Sequence, residues 1–198
     1  MNDAAPVLTF DPECHQYFIN GQPCGSVTGI LQDLGLKNSY FGPEGEWYAR
    51  RGTIVHRGCE LLDADNLKWD SVDSRIEPYL RAWMKFKVEN SVEILECEKR
   101  VFSAQYWYAG TLDRLIRVDG DTETIILIDI KTGQPDPGDR YQTAGYSIAR
   151  FDNPYEVKRW CVYLRDNGKY KIVVHPDTQD FNVFMAACTV YNAKEKRI

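Results

Sequence analysis

The sequence lacks the marks of a membrane-spanning protein, a secreted protein or a cysteine-ligated metal protein. Its six cysteines include no pair at the two-residue spacing typical of zinc or iron–sulfur ligands. Apolar runs such as Ile-Ile-Leu-Ile at residues 125–128 are far too short to cross a bilayer. The opening residues carry neither a basic segment nor an apolar signal core. We therefore expect a cytoplasmic protein with reduced cysteines and no membrane partner.

An excess of positive charge is also missing, since 24 Lys and Arg face 29 Asp and Glu for a net charge of -5. This balance excludes a protein that coats nucleic acid through general positive charge. It leaves open an enzyme that holds nucleic acid in a local basic groove around a carboxylate site. With 198 residues, 43% of them hydrophobic, the chain is predicted to form a single domain over residues 1–198 with a buried core.

The spacing of apolar residues predicts a mixed α/β fold. Helical spacing predicts helices over residues 26–34, 46–63, 77–88, 140–151 and 178–196. Alternating or continuous apolar runs predict strands over residues 8–10, 16–19, 92–102, 108–118, 124–131, 157–164 and 170–174. Helices therefore precede and follow a central set of three strands, which indicates one layered α/β domain.

Two carboxylates and a lysine stand out in the middle of the chain. Asp129 and Lys131 follow the aliphatic run at residues 125–128, and side chains two apart on a strand point to the same face. Taken alone, this pair equally suits an ion pair at a strand end. The preceding strand carries Asp113, and two converging carboxylates tend to take up a proton unless a cation lies between them. Such oxygen ligands suit Mg²⁺, so the pattern predicts a metal site for phosphodiester hydrolysis.

The order of these residues resembles the PD-(D/E)XK nuclease superfamily. Gly-Thr-Leu-Asp at residues 110–113, followed by Asp-Ile-Lys-Thr-Gly at residues 129–133, is similar to the motif that names it. Other segments resemble the branch that holds the RecB nuclease domain, CRISPR-associated adaptation nucleases and small phage or mitochondrial exonucleases. These segments are residues 51–56, 98–101 and 141–146, and residues 15–17 with 26–31 are similar to the start of phage members.

The resemblance implies a restriction-endonuclease-like fold, with a mixed central β-sheet flanked by helices. The metal ligands that it implies are His56, Asp113, Asp129 and the backbone carbonyl of Ile130. The metal would be Mg²⁺ or Mn²⁺, and Lys131 would position the water that attacks the phosphate. From the pattern alone, a single histidine on an apolar helix face is more often a satisfied core residue than a ligand.

The helix after the lysine strand carries two further candidate site residues. The resemblance implies that Gln142 holds Lys131 or a phosphate and that Tyr146 contacts DNA. The competing interpretation of Tyr146 is a buried tyrosine with a satisfied hydroxyl. Glu60, one turn after His56, suits either a group that orients the imidazole or a solvated glutamate. Glu98 suits either the site or an ordinary exposed strand face.

Basic residues near these motifs also invite two interpretations, as DNA-phosphate contacts or as ordinary solvated side chains. They are Arg50, Arg51, Arg57, Lys99, Arg100 and Arg114.

The sequence departs from the family pattern in two places. Leu112 stands where the name-giving proline would be, which is common in this branch. Members with an iron–sulfur cluster carry a cysteine cluster near the C-terminus, whereas Cys188 stands alone there. We therefore predict no iron–sulfur cluster.

The function predicted from the resemblance is hydrolysis of DNA, with exonuclease action on DNA ends in recombination or repair as the first choice. This would place the protein in a bacterial or phage-infected host cell, with a recombination or replication protein as a further partner. Three alternatives remain open: a structure-specific or nicking endonuclease, a non-catalytic DNA-binding subunit of the same fold, and a hydrolase of small phosphate esters. The intact set of Asp113, Asp129 and Lys131 argues against the non-catalytic subunit.

Overall fold

A mixed β-sheet runs through the protein, and helices cover both of its faces. The computed structural model describes residues 5–39, 42–118 and 120–195. The strands in these ranges are β1 (Leu8–Asp11), β2 (Gln16–Ile19), β3 (Gln22–Ser26), β4 (Glu93–Ser103), β5 (Tyr108–Val118), β6 (Asp121–Lys131), β7 (Lys158–Leu164) and β8 (Tyr170–Val174). The helices are α1 (Val27–Asp33), α2 (Gly42–Asp63), α3 (Glu77–Glu89), α4 (Asp139–Arg150) and α5 (Gln179–Lys194), with short 3-10 turns at Trp69–Ser71 and Pro154–Glu156.

The eight described strands form one sheet in the order β1-β2-β3-β5-β6-β7-β8, with β4 pairing β5 outside this order. The pairs β4–β5, β5–β6 and β7–β8 are antiparallel, whereas β6 and β7 run parallel from Ile126↔Lys158 to Lys131↔Tyr163. The hairpin of β1 and β2 continues into β3, which joins β5 through only the parallel pairs Gly25↔Tyr108 and Ser26↔Ala109. The expected mixed sheet flanked by helices is therefore confirmed.

Two hydrophobic clusters hold the helices against the sheet. On one face, α1, α4 and α5 supply buried residues such as Ile30, Ala144 and Phe184, which pack with strand residues including Leu127. On the other face, α2 and α3 pack against a separate set of strand residues that includes Ile128. This arrangement leaves β6 buried on both faces, as its aliphatic run predicts.

The structure differs from the sequence-based expectations at two elements before the site. Strand β3 is not among the predicted strands, because Gln-Pro-Cys-Gly-Ser at residues 22–26 shows no apolar alternation. Helix α2 begins at Gly42 rather than at residue 46, so residues assigned to a loop form its first turn, where a proline is tolerated. Within the described ranges, no helix is both long and apolar enough to cross a membrane.

Candidate metal centre

The candidate site lies where β5 and β6 stop pairing. The last ladder pair before the site is Arg114↔Ile128, after which β6 continues beside β7 as far as Lys131. Beyond this pair, the Asp113 carboxylate takes the place of the missing backbone partner and accepts a hydrogen bond of 2.6 Å from the Ile130 N–H. The strands therefore form a fork, and the buried side chains of Asp113 and Asp129 both lie at it.

Helix α2 closes the fork with His56. The His56 Nε2–H donates to the Ile130 carbonyl at 2.9 Å, and its Nδ1 lies 3.3 Å from the Asp113 carboxylate. Val55 and Cys59 on the same helix are fully buried, so the packing of α2 fixes where His56 points. Burial on its own lowers the pKa of His56, but the Asp113 carboxylate outweighs it and raises the pKa from 6.5 to about 9.

Glu98 joins this group from β4. It falls opposite Asp113, between the ladder pairs Cys97↔Arg114 and Lys99↔Leu112. Ligand atoms of Glu98, Asp113 and His56 all lie within 4.8 Å of one another. The backbone of Glu98 has a φ of 47°, a left-handed conformation that costs a non-glycine residue on the order of 1 kcal/mol. Strained positions that persist often belong to functional sites, so this geometry favours the site interpretation of Glu98.

The buried Arg114 side chain forms an ion pair with Glu98. The Arg114 guanidinium, fully buried, donates to Glu98 at 2.8 Å, to Asp63 at 2.7 Å and to the Asp113 carbonyl at 2.6 Å. Burial and the Asp113 carboxylate raise the pKa of Glu98, which the Arg114 charge opposes. Because it is enclosed, Arg114 does not reach a DNA phosphate and instead positions the Glu98 carboxylate.

Lys131 ends β6, two residues after Asp129. Its ammonium lies 2.6 Å from the Asp129 carboxylate and donates to the Gln142 side-chain oxygen at 2.9 Å. Burial on its own lowers the pKa of Lys131, but the carboxylates of Asp129 and Asp139 outweigh it and raise this pKa. The lysine is therefore fully charged at neutral pH and is held in one position.

Asp139 is a third carboxylate near this lysine that sequence reasoning missed. Its side chain, 1% exposed, lies 3.8 Å from the Lys131 ammonium and forms an ion pair with Lys37. The Tyr163 hydroxyl donates to Asp139 at 2.6 Å. These residues come from the loop after α1, the start of α4 and β7, so no local motif marks their convergence.

Helix α4 places its two predicted site residues one turn apart against the fork. Gln142 accepts from Lys131 and donates through its amide to the Tyr146 hydroxyl at 3.1 Å and to Thr28 at 3.2 Å. Tyr146 is 6% exposed, and a Cβ on Gly110 would lie 2.7 Å from its ring. The absence of a side chain at Gly110 therefore lets the ring pack against β5.

Two clefts are lined by different residues of the fork. The first, which we call the helix cleft, measures about 800 Å³ and contains His56, Lys131, Lys37, Arg51 and Arg165 in its lining. The second, which we call the hairpin cleft, measures about 450 Å³ and extends from Glu98 and Asp113 to the hairpin of β1 and β2.

The remaining predicted residues have identifiable surroundings. Arg51 donates to the Thr132 carbonyl at 2.9 Å, so it supports the turn after β6. Glu60 forms an ion pair with the exposed Arg57 and lines the hairpin cleft. Arg50, Lys99 and Arg100 are exposed.

Comparison with known proteins gives little further information about this chain. No protein-family model matches it. No curated protein matches it. A solved structure described as the crystal structure of SSO0001 shows 17% identity and a TM-score of 0.36, covering 72% of this chain and 69% of the other. A likeness of that strength supports no argument about fold or function.

Proposed function

We propose that this protein is a Mg²⁺- or Mn²⁺-dependent nuclease that hydrolyses phosphodiester bonds in DNA. The observation that carries the proposal is the fork between β5 and β6, where Asp113 and Asp129 lie on neighbouring strands and Lys131 is ion-paired with Asp129. A carboxylate pair with an adjacent ammonium suits metal-assisted phosphodiester hydrolysis. The same arrangement supports a restriction-endonuclease-like fold with one nuclease domain over residues 1–198.

The donor atoms at the fork fit a hard divalent cation. Carboxylate oxygens and the Ile130 carbonyl are ligands that Mg²⁺ prefers, while the His56 imidazole also suits Mn²⁺. His56, Asp113, Asp129 and the Ile130 carbonyl would hold the ion. Of these, His56 and Asp113 belong with Glu98 to the group whose ligand atoms lie within 4.8 Å of one another, whereas Asp129 lies outside that group and is ion-paired with Lys131. A bound cation would offset negative charge on the phosphate and make a water molecule acidic enough to attack at neutral pH.

The protein's own groups would orient the reacting atoms. The Lys131 ammonium, held between Asp129 and Gln142, suits a role in orienting the attacking water or offsetting charge on the phosphate. Gln142 links this lysine to the Tyr146 hydroxyl, so rotation of the Gln142 side chain would break both hydrogen bonds. Arg114 keeps Glu98 turned toward the fork.

The first choice of reaction is exonuclease action on DNA ends, in recombination or repair with a recombination or replication protein as partner. Each of the two clefts is lined in part by residues of the fork, which supports binding of a DNA strand beside the site. End-labelled single- and double-stranded DNA, linear and circular, should be incubated with Mg²⁺ or Mn²⁺. We expect linear DNA to be shortened from an end and circular DNA to resist.

Other outcomes of this assay identify the alternatives. Cleavage of circular DNA would indicate a structure-specific or nicking endonuclease, and binding without cleavage would indicate a non-catalytic subunit. Cleavage of a chromogenic diester but not of DNA would indicate a hydrolase of small phosphate esters. Calorimetric titration with Mn²⁺ tests the site itself: Asp113→Ala and Asp129→Ala should lose binding, while the exposed control Asp152→Ala should retain it. Parent-like binding by both site variants would remove the proposed metal site.

A further inference from the structure

Strand β7 brings a buried thiol against the Asp129 carboxylate. Cys161 is the register partner of Asp129 in the parallel ladder of β6 and β7. Its thiol donates to Asp129 Oδ2 at a sulfur–oxygen distance of 3.6 Å, the weak hydrogen bond that a cysteine can make. Cys161 is fully buried and Asp129 is 2% exposed, so solvent does not displace this contact. The pairing of β6 with β7 therefore holds a thiol beside a residue that we assign to the metal.

The same carboxylate oxygen also accepts the lysine. Lys131 Nζ lies 2.6 Å from Asp129 Oδ2, so an ammonium and a thiol share this one oxygen. Among the described residues, none donates a hydrogen bond to the other oxygen, Oδ1. An ammonium and a divalent cation repel each other, so Oδ1 rather than Oδ2 is the oxygen that suits a metal. The donors at Oδ2 thus decide which oxygen Asp129 offers.

The two donors differ in how firmly they can hold the carboxylate. Lys131 reaches Asp129 through a long side chain with several rotatable bonds, and it is shared with Gln142. The Cys161 sulfur is attached directly to Cβ, on a strand that is paired on both sides, by β6 and by β8. The thiol is therefore the donor with the more rigid support. Groups that hydrogen-bond a metal ligand orient it, and their loss typically costs about 10- to 100-fold in metal affinity or activity.

We propose that Cys161 is a positioning residue of the metal centre, whose thiol holds Asp129 Oδ2 and thereby leaves Oδ1 available to the cation. This inference rests on the proposed function and assigns to it a residue that lies in none of the recognised motifs. Cys161 acts through Asp129 and does not itself contact the metal. The competing interpretation is a small apolar core residue, as buried cysteines commonly are, whose removal would change stability alone.

Calorimetric titration with Mn²⁺ separates the two interpretations without relying on activity. Cys161→Ala leaves space and Cys161→Val fills it, but both lack the donor, so each should bind Mn²⁺ about 10- to 100-fold more weakly than the parent. Cys161→Ser keeps a donor and should recover part of the affinity. Cys188→Ala, which removes an equally buried thiol from α5 outside both cleft linings, should bind Mn²⁺ like the parent. Thermal melting should show that every variant is folded.

Each outcome bears on the thiol or on the nuclease separately. Parent-like affinity in Cys161→Ala and Cys161→Val rejects the positioning role, and so does a Cys161→Ser variant that binds as weakly as Cys161→Val. If the parent cleaves DNA in either case, the nuclease stands. A parent that binds Mn²⁺ without cleaving DNA, with weaker binding by Cys161→Ala, supports the positioning role and rejects the nuclease. A parent that does not bind Mn²⁺ rejects both.

Discussion

Lys131 is charged, nearly buried and bound to Asp129 and Gln142, and this surrounding determines what its removal should do. We expect Lys131→Ala to bind Mn²⁺ and DNA but to lose turnover by about 10²–10⁴-fold, the range for acid–base or positioning roles. Single-turnover cleavage of labelled DNA measures the loss, and Lys171→Ala on β8 is the matched control. Cleavage within a few-fold of the parent would mean that Lys131 is only a structural ion-pair partner.

A second prediction at the residue scale concerns His56, because a metal that binds its imidazole must displace a proton from the ring. Its pKa of about 9 makes it an imidazolium at neutral pH, so Mn²⁺ binding should release a proton and strengthen as pH rises from 7 to 9. In the metal-free protein, the stability contributed by this charge is present below about pH 6.5 and is lost as pH rises through 9. Calorimetry in buffers of different ionisation enthalpy measures the released proton.

The same residue should set the metal preference. The parent should cleave at least as well with Mn²⁺ as with Mg²⁺, because imidazole suits Mn²⁺, and Ca²⁺ should bind without supporting turnover. His56→Ala should cleave DNA more slowly, and its cleavage rates with Mn²⁺ and Mg²⁺ should differ less than those of the parent. His175→Ala, outside both clefts, should change neither the rate nor the metal preference. His56→Asp restores an oxygen ligand and should recover part of the Mg²⁺ rate. An unchanged rate and metal preference in His56→Ala would return the residue to a structural role.

At the scale of elements, the start of α4 is tied to the rest of the site by Asp139. Burial raises the pKa of Asp139, but Lys131 and Lys37 outweigh it and hold the pKa below its usual 3.8. Its stabilising charge is therefore present above about pH 4 and is lost as pH falls further. Asp139→Asn should lower the free energy of unfolding at pH 7 by about 2–4 kcal/mol, since it removes the carboxylate that pairs with the largely buried Lys37 ammonium.

Urea unfolding of the parent and Asp139→Asn at several pH values measures this effect. The free energies of unfolding of the two proteins should differ at pH 7 and converge at strongly acid pH, while that of Asp152→Asn should match the parent throughout. A difference in free energy that stays constant down to acid pH would show that the Asp139 charge is not what stabilises α4.

The elements also show how far the sequence predicts this structure. Strands β5 and β6 follow from their long apolar runs, and Asp129 and Lys131 share a face because strand side chains alternate. Strand β3 lacks such a pattern, and its partner in β5 lies more than 80 residues away. It also pairs with the neighbouring strand β2 across the turn at residues 20–21, so the signal that is missing from the sequence is apolar alternation.

The site residues also differ in how far the sequence predicts them. His56, Asp113, Gln142 and Tyr146 lie within recognisable segments, and the structure brings all four to the fork. The place of Asp139 depends on a loop and on Lys37, which is distant in sequence. Glu98 was left open because a charged residue on a strand suits an ordinary exposed face equally well, and no glycine or asparagine signals its left-handed backbone.

At the scale of the whole molecule, charge distribution predicts the salt dependence of DNA binding. The net charge is -5, and the clefts offer few cations free of carboxylate partners, chiefly Arg51, Arg100 and Arg165. About three phosphate contacts give a slope of log affinity against log salt of about -2 for single strands. Fluorescence anisotropy from low to moderate NaCl measures it. A slope of -6 or steeper would require a basic surface elsewhere on the protein.

The hairpin of β1 and β2 reaches the main sheet through β3 and only two ladder pairs, Gly25↔Tyr108 and Ser26↔Ala109. Few backbone bonds must break for it to detach, so its amides should exchange with solvent through a partial opening that costs less than global unfolding. The amides of β6 and β7, paired on longer ladders, should exchange only when the whole domain unfolds. The hairpin is thus a separable unit of the fold. A change confined to its tip should leave the pairing of β6 with β5 and β7, and with it the geometry of the fork, intact.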